Sequence, residues 1–116
     1  MNVNESPNPA SERLRAARRV VIKLGTSTVT GADGEICAER VEPIVRSIAA
    51  FMHAGRQAVL VSSGAVGLGA GRLGLPRARL NDLVVRQACA AVGQNLLMNA
   101  YEQFFRAHDV KIAQVL

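Results

Sequence analysis

Two short polar clusters contain the residue types that could do chemistry. The first is Lys23-Leu24-Gly25-Thr26-Ser27, which follows the apolar run Val20-Val21-Ile22. The second is Ser63-Gly64-Ala65, which follows Val59-Leu60-Val61-Ser62. A run of β-formers ending in a polar loop reads as a buried strand. In an open α/β sheet, ligands bind at the carboxyl ends of the strands. Lys23 would then carry an ammonium to the mouth of a site, and Gly25 would let backbone N–H groups come close to an anion. Ser63 and Gly64 would open a helix whose unpaired N–H groups and dipole favour a carboxylate or phosphate. Each cluster also has a plainer reading, an edge lysine before an ordinary turn and an N-capping serine. A parallel pairing of the two strands puts both loops on one edge, and that coincidence favours an anion site.

Other candidates are weaker. Gly69-Ala70-Gly71-Arg72-Leu73-Gly74 has the letters of a dinucleotide fingerprint. That fingerprint must begin at the strand-to-helix turn, which here is at Ser63-Gly64, and no acidic strand-end residue follows at the right distance. The glycines are read instead as permitting tight helix–strand packing. Ser63 is not set in Gly-x-Ser-x-Gly, and neither His53 nor His108 has an obvious base position, so nucleophilic catalysis is disfavoured. Both histidines lie near helix ends and read as solvated, not as metal ligands.

The elements that must position these clusters follow from pattern and length. The chain has 116 residues, 49% apolar with few aromatics, which suits one small α/β domain with a Val, Leu, Ile and Ala core. A polar leader, disordered or loosely helical near its end, is expected over 1–17, with the domain occupying 18–116. A strand over 19–25 is followed by a loop or short extended arm from Thr26 to Thr30 and a turn at Gly31–Gly34. Val41, Ile44, Val45, Ile48, Phe51 and Met52 recur at helical spacing and predict a helix over 38–54, stopped by Gly55. A second strand over 57–62 completes a βαβ unit. A long helical segment over 80–108 follows, with Gly93 as a possible break and Ala88-Cys89-Ala90-Ala91 small enough for close packing. Val110 to Leu116 reads as a third strand.

The formal charge of +5 admits an anionic substrate or nucleic acid. Arg13, Arg15, Arg18 and Arg19 cluster without interleaved aromatics, which argues for a solvated leader and against a stacking surface. Cys37 and Cys89 are far apart and lack zinc or disulfide spacing. There is no secretory h-region and no membrane-length apolar run, so a cytoplasmic protein without membrane or nucleic-acid partners is expected.

Three stretches together resemble a known family: Val21-Ile22-Lys23-Leu24-Gly25-Thr26-Ser27, Val59-Leu60-Val61-Ser62-Ser63-Gly64-Ala65-Val66 and Gln87-Ala88-Cys89-Ala90-Ala91-Val92-Gly93-Gln94. They are similar to the N-terminal part of the glutamate 5-kinases, within the amino acid kinase family. The resemblance runs from about Arg19 to Leu116. Acetylglutamate kinase, uridylate kinase and aspartokinase share the Lys-x-Gly opening but fit the later stretches less well. The resemblance implies a partial amino acid kinase fold, a three-layer α/β/α sandwich of parallel strands cut off after the third. It implies phosphoryl transfer from ATP, with Mg2+, to the side-chain carboxylate of L-glutamate, giving glutamyl 5-phosphate for proline synthesis. By motif, Lys23 is the catalytic and ATP-side lysine, Gly25, Thr26 and Ser27 shape the phosphate loop, and Ser63, Gly64 and Ala65 form the glutamate loop. The family domain is about twice this long. The chain therefore reads as an N-terminal fragment, inactive alone, of a protein expected to be a homo-oligomer when full length. The rival reading is a non-catalytic remnant that binds an anion or a partner chain through its sheet edge.

Overall fold

The computed structural model describes residues 6 and 8–115. In chain order the elements are α1 (Pro9–Ala16), β1 (Arg19–Leu24), α2 (Thr26–Val29), α3 (Ala38–His53), β2 (Gln57–Ser62), α4 (Ala65–Leu73), a 3-10 turn over Arg77–Asn81, and α5 (Leu83–Arg106). The two strands pair in parallel, from Arg19 opposite Gln57 to Leu24 opposite Ser62. Parallel pairing needs a long crossover, and α3 supplies it.

Alternation along the strands divides the sheet. Ile22, Leu24, Ala58 and Leu60 face the apolar core with Val41, Val45, Ile48 and Ala49 of α3. On the other face, Val21, Val59 and Val61 are 68%, 48% and 48% exposed, and Lys23 stands among them. Leu68 of α4, and Leu97, Tyr101 and Phe105 of α5, complete the core.

Helices α4 and α5 are in backbone contact, and glycine makes this possible. A Cβ on Gly69 would lie 1.7 Å from the Cys89 carbonyl oxygen, and one on Gly93 would lie 1.6 Å from that of Ala65. Of the discounted fingerprint, Gly69 thus serves helix–helix packing, Gly71 lies against the Gly34 backbone and Gly74 is the left-handed cap that ends α4, so none does the helix–strand packing expected of them. Gly93 does not break α5, because tertiary contact with α4 outweighs its poor helix propensity. The small residues around Cys89 pack closely, as their size implied. Asp82 caps the start of α5, accepting from the Val84 N–H at 2.9 Å. At the other end Asp109 is left-handed at φ 56°, and the Val110 N–H bonds to the Phe105 carbonyl at 3.1 Å.

Within the leader, Pro9–Ala16 form a helix with an Asn8 cap, in line with a leader helical near its end, while the expectation for 1–5 and 7 lies outside the described residues. Two expectations are corrected. Thr26 to Val29 form one helical turn instead of a loop or short extended arm. The third strand does not form: the sheet has two strands, and 110–115 carry no strand pairing. A groove of about 600 Å³ separates this segment from β2. Val110 is buried but Val115 is 94% exposed, so the segment is anchored at its start and finds too little apolar contact further on to dock as a ladder.

Candidate functional site

The β1 tip is built by register. Lys23 is opposite Val61 on the open face of the sheet, and its side chain is exposed. Gly25 follows at φ −77° as the N-cap of α2, and a Cβ there would meet nothing within 4 Å. Space above this backbone is therefore open for a ligand to approach. The Thr26 and Ser27 N–H groups at the start of the turn have no acceptor among the described residues. The turn is tied at its far end. Thr30 Oγ1 donates to the Thr26 carbonyl at 2.8 Å, and Arg40 donates to the Thr28 and Thr30 carbonyls at 3.2 and 2.9 Å.

The β2 tip continues the ladder by one residue. The Ser63 N–H donates to the Leu24 carbonyl at 2.9 Å, so this amide serves the sheet and is not offered to a ligand. Alternation puts the exposed Ser63 side chain on the face that carries Lys23 and Val61. Ser63 is not the N-cap of the following helix. Gly64 is, at φ 116°, with no side-chain cap. The N–H groups of Gly64, Ala65, Val66 and Gly67 have no acceptor among the described residues, as the first turn of a helix dictates.

The two tips touch. A Cβ on Gly64 would lie 3.3 Å from Val29 Cγ1 and 3.4 Å from Thr30 Cγ2. The turn after β1 is thus packed on the turn after β2. Lys23, Gly25, Thr26 and Ser27 are gathered with Ser63, Gly64 and Ala65 at one edge of the sheet. Neither tip contains an acidic side chain. One ammonium, three hydroxyls and two sets of N–H groups make an anion-binding edge.

Sequence reasoning missed two supporting residues. Tyr101 of α5 lies under the β2 tip, its hydroxyl 2.6 Å from Ser62 Oγ, and burial pushes its pKa above 10.0. Arg40 of α3 holds the β1 turn. Their distances in sequence from the tips give no local signal. The histidines lie elsewhere. His53 Nε2 donates to the His108 carbonyl at 2.7 Å, and His108 Nε2 is 3.2 Å from Glu42 Oε1. His108 is thus partnered and half-buried, not solvated. The Arg46 guanidinium, and then His108, hold the Glu42 carboxyl below its usual 4.5. Cys89 is buried against α4, and Cys37 is half-buried before α3.

The family model described as "Amino acid kinase family" matches residues 18–116. The chain belongs to the amino acid kinase family. Among curated relatives in that family, it is 52% identical over 103 residues to the glutamate 5-kinase of Moorella thermoacetica, covering 89% of this chain and 27% of that protein. It is 50% identical over 105 residues to the glutamate 5-kinase of Symbiobacterium thermophilum, covering 90% and 40%. With the Myxococcus xanthus glutamate 5-kinase the identity is 48% over 103 residues, covering 89% and 27%. This amino acid kinase segment therefore spans 27 to 40% of the length of these relatives.

Proposed function

We propose that this chain is the N-terminal part of a glutamate 5-kinase, which transfers the γ-phosphoryl group of ATP to the side-chain carboxylate of L-glutamate. The carrying observation is the contact of the two strand tips at Gly64, which brings a cation and two helix starts to one anion-binding gap. Two anionic reactants repel each other, and phosphoryl transfer is mostly positioning and charge stabilisation. Lys23 neutralises charge on the phosphoryl group in transit. The Thr26 and Ser27 N–H groups and hydroxyls hold phosphate oxygens over the open space at Gly25. The Ser63 hydroxyl and the Gly64 and Ala65 N–H groups hold the acceptor carboxylate, whose oxygen attacks phosphorus as ADP leaves. The product, L-glutamyl 5-phosphate, belongs to the first step of proline synthesis in a cytoplasmic setting.

Among the described residues no three His, Cys, Asp or Glu side chains gather to hold a metal. Mg2+ would enter with the nucleotide, and no role here depends on it. No helix of the described residues is long and apolar enough to cross a membrane.

The test is a chimera in which residues 18–116 replace the matched segment of the Moorella protein. Glutamate-dependent ADP release, with glutamyl phosphate trapped as its hydroxamate, is the expected result. ADP release with acetylglutamate and not with glutamate would transfer the chain to the rival kinase. A folded chimera that releases ADP with neither would overturn the reading.

A further inference from the structure

We infer that Tyr101 is a positioning residue that sets the direction of the Gly64 N–H through a hydroxyl relay from α5 to the β2 tip. The inference rests on the proposed kinase reading, because it gives that N–H the glutamate carboxylate as its ligand. The relay has two bonds. Ser62 Oγ donates to the Ser63 carbonyl at 3.0 Å, and the Tyr101 hydroxyl lies 2.6 Å from Ser62 Oγ.

The direction of the relay follows from proton counting. A serine hydroxyl has one proton and two lone pairs. The Ser62 proton is committed to the Ser63 carbonyl, so the tyrosine proton must go to Ser62 Oγ. The order is Tyr101 O–H to Ser62 O–H to Ser63 C=O. Tyr101 is 5% exposed, so water does not compete for its proton.

The geometric effect follows from peptide planarity. In a trans peptide the C=O and the next N–H point in opposite directions. Fixing the Ser63 carbonyl on the Ser62 side therefore aims the Gly64 N–H away from it. That N–H has no acceptor among the described residues. Gly64 is also held at φ 116° against Val29 and Thr30, so the peptide is constrained on both sides. Without the relay only the glycine side would hold it, and glycine is the residue least able to resist rotation.

Tyr101 is the chain's only tyrosine, and there is no tryptophan, so one isotope-labelled Tyr101 Cζ resonance reports the relay in the chain as it stands. Ser62→Ala should shift that resonance, because the phenol O–H loses its acceptor. Ser62→Thr should restore the shift. In the chimera, Tyr101→Phe should raise KM for glutamate about tenfold, the scale of one weakened hydrogen bond to a charged group, and leave KM for ATP within twofold. Ser62→Ala should do the same, and the double variant should be no worse than either alone. An unmoved Cζ resonance in Ser62→Ala would overturn the relay. So would additive effects on KM, or equal effects on glutamate and ATP. A wild-type chimera inactive on glutamate would instead overturn the kinase reading, and with it the ligand assigned to Gly64, while the resonance still decides whether the relay exists.

Discussion

Ser63 lies two residues beyond Val61, the partner of Lys23 on the neighbouring strand, and the duties proposed for Lys23 and Ser63 separate cleanly. An ammonium that meets charge developing on the phosphoryl group acts in the transition state. In the chimera, Lys23→Ala should lower kcat by about 10²–10³-fold, the usual scale for removing one such electrostatic group, with KM for both substrates little changed. A kcat within a few-fold of wild type would remove Lys23 from the reaction. Ser63 has only its hydroxyl to offer the proposed glutamate, since its amide is bonded to Leu24. Ser63→Ala should raise KM for glutamate several-fold more than KM for ATP, and steady-state kinetics with each substrate varied will show it. A third prediction concerns protons. Glu42 is held below 4.5 by Arg46 first and His108 second. A carboxyl depressed in the folded state stabilises it above the unfolded pKa, and that contribution is lost as pH falls through the folded value. Stability measured by urea titration should therefore decline as pH drops below about 4.5, where the unfolded carboxyl takes up its proton. In Glu42→Gln that part of the slope should disappear. An unchanged slope would mean the pair is screened by water.

At the scale of elements, the helix pair α4–α5 is the most demanding contact. The Ala65 carbonyl sits where a Gly93 Cβ would go. Gly93→Ala must push the helices apart, which costs about 3 kcal/mol or more, at the upper end of overpacking effects. A loss of thermal stability with far-UV helicity kept at low temperature would show this, and a melt unchanged from wild type would contradict the contact. Much of this layout was legible from the residues. The apolar period of α3 and the β-branched runs of β1 and β2 give strong local signals, and the observed ends agree with the reading to within a residue. The positions of both tips followed from the strands. The failures have a common physical source. Thr26-Ser27-Thr28-Val29 has extended propensity, but packing on Gly64 and the Arg40 bonds fold it into a turn. Val110 to Val115 has strand propensity but no docked neighbour. Tyr101 is 39 positions from Ser62, so nothing short of the fold could reveal their bond.

Over the whole molecule, the radius of gyration is 17.2 Å, against about 13 Å for a compact domain of this length. The excess agrees with a sheet covered on one face only. Val21, Val59 and Val61 leave an apolar strip in water, so the chain alone should bind a hydrophobic dye and scatter light increasingly with concentration. Replacing Val21 and Val59 together by Thr should reduce both signals, and an equal signal would place the sticky surface elsewhere. The parallel register has a last consequence, for where extra residues can be accommodated. Gln57 N–H is bonded to the Arg18 carbonyl directly after the short link from α3. One residue added at Gly55 would move β2 by a step and turn every side chain over. Ser62 would face away from Tyr101, and Val59 and Val61 would be driven inward. An insertion between the exposed Ala32 and Asp33 shifts no strand, so that loop, closed by an antiparallel bridge between Thr30 and Ile36, and not the α3–β2 link, is where the chain can be lengthened or tagged.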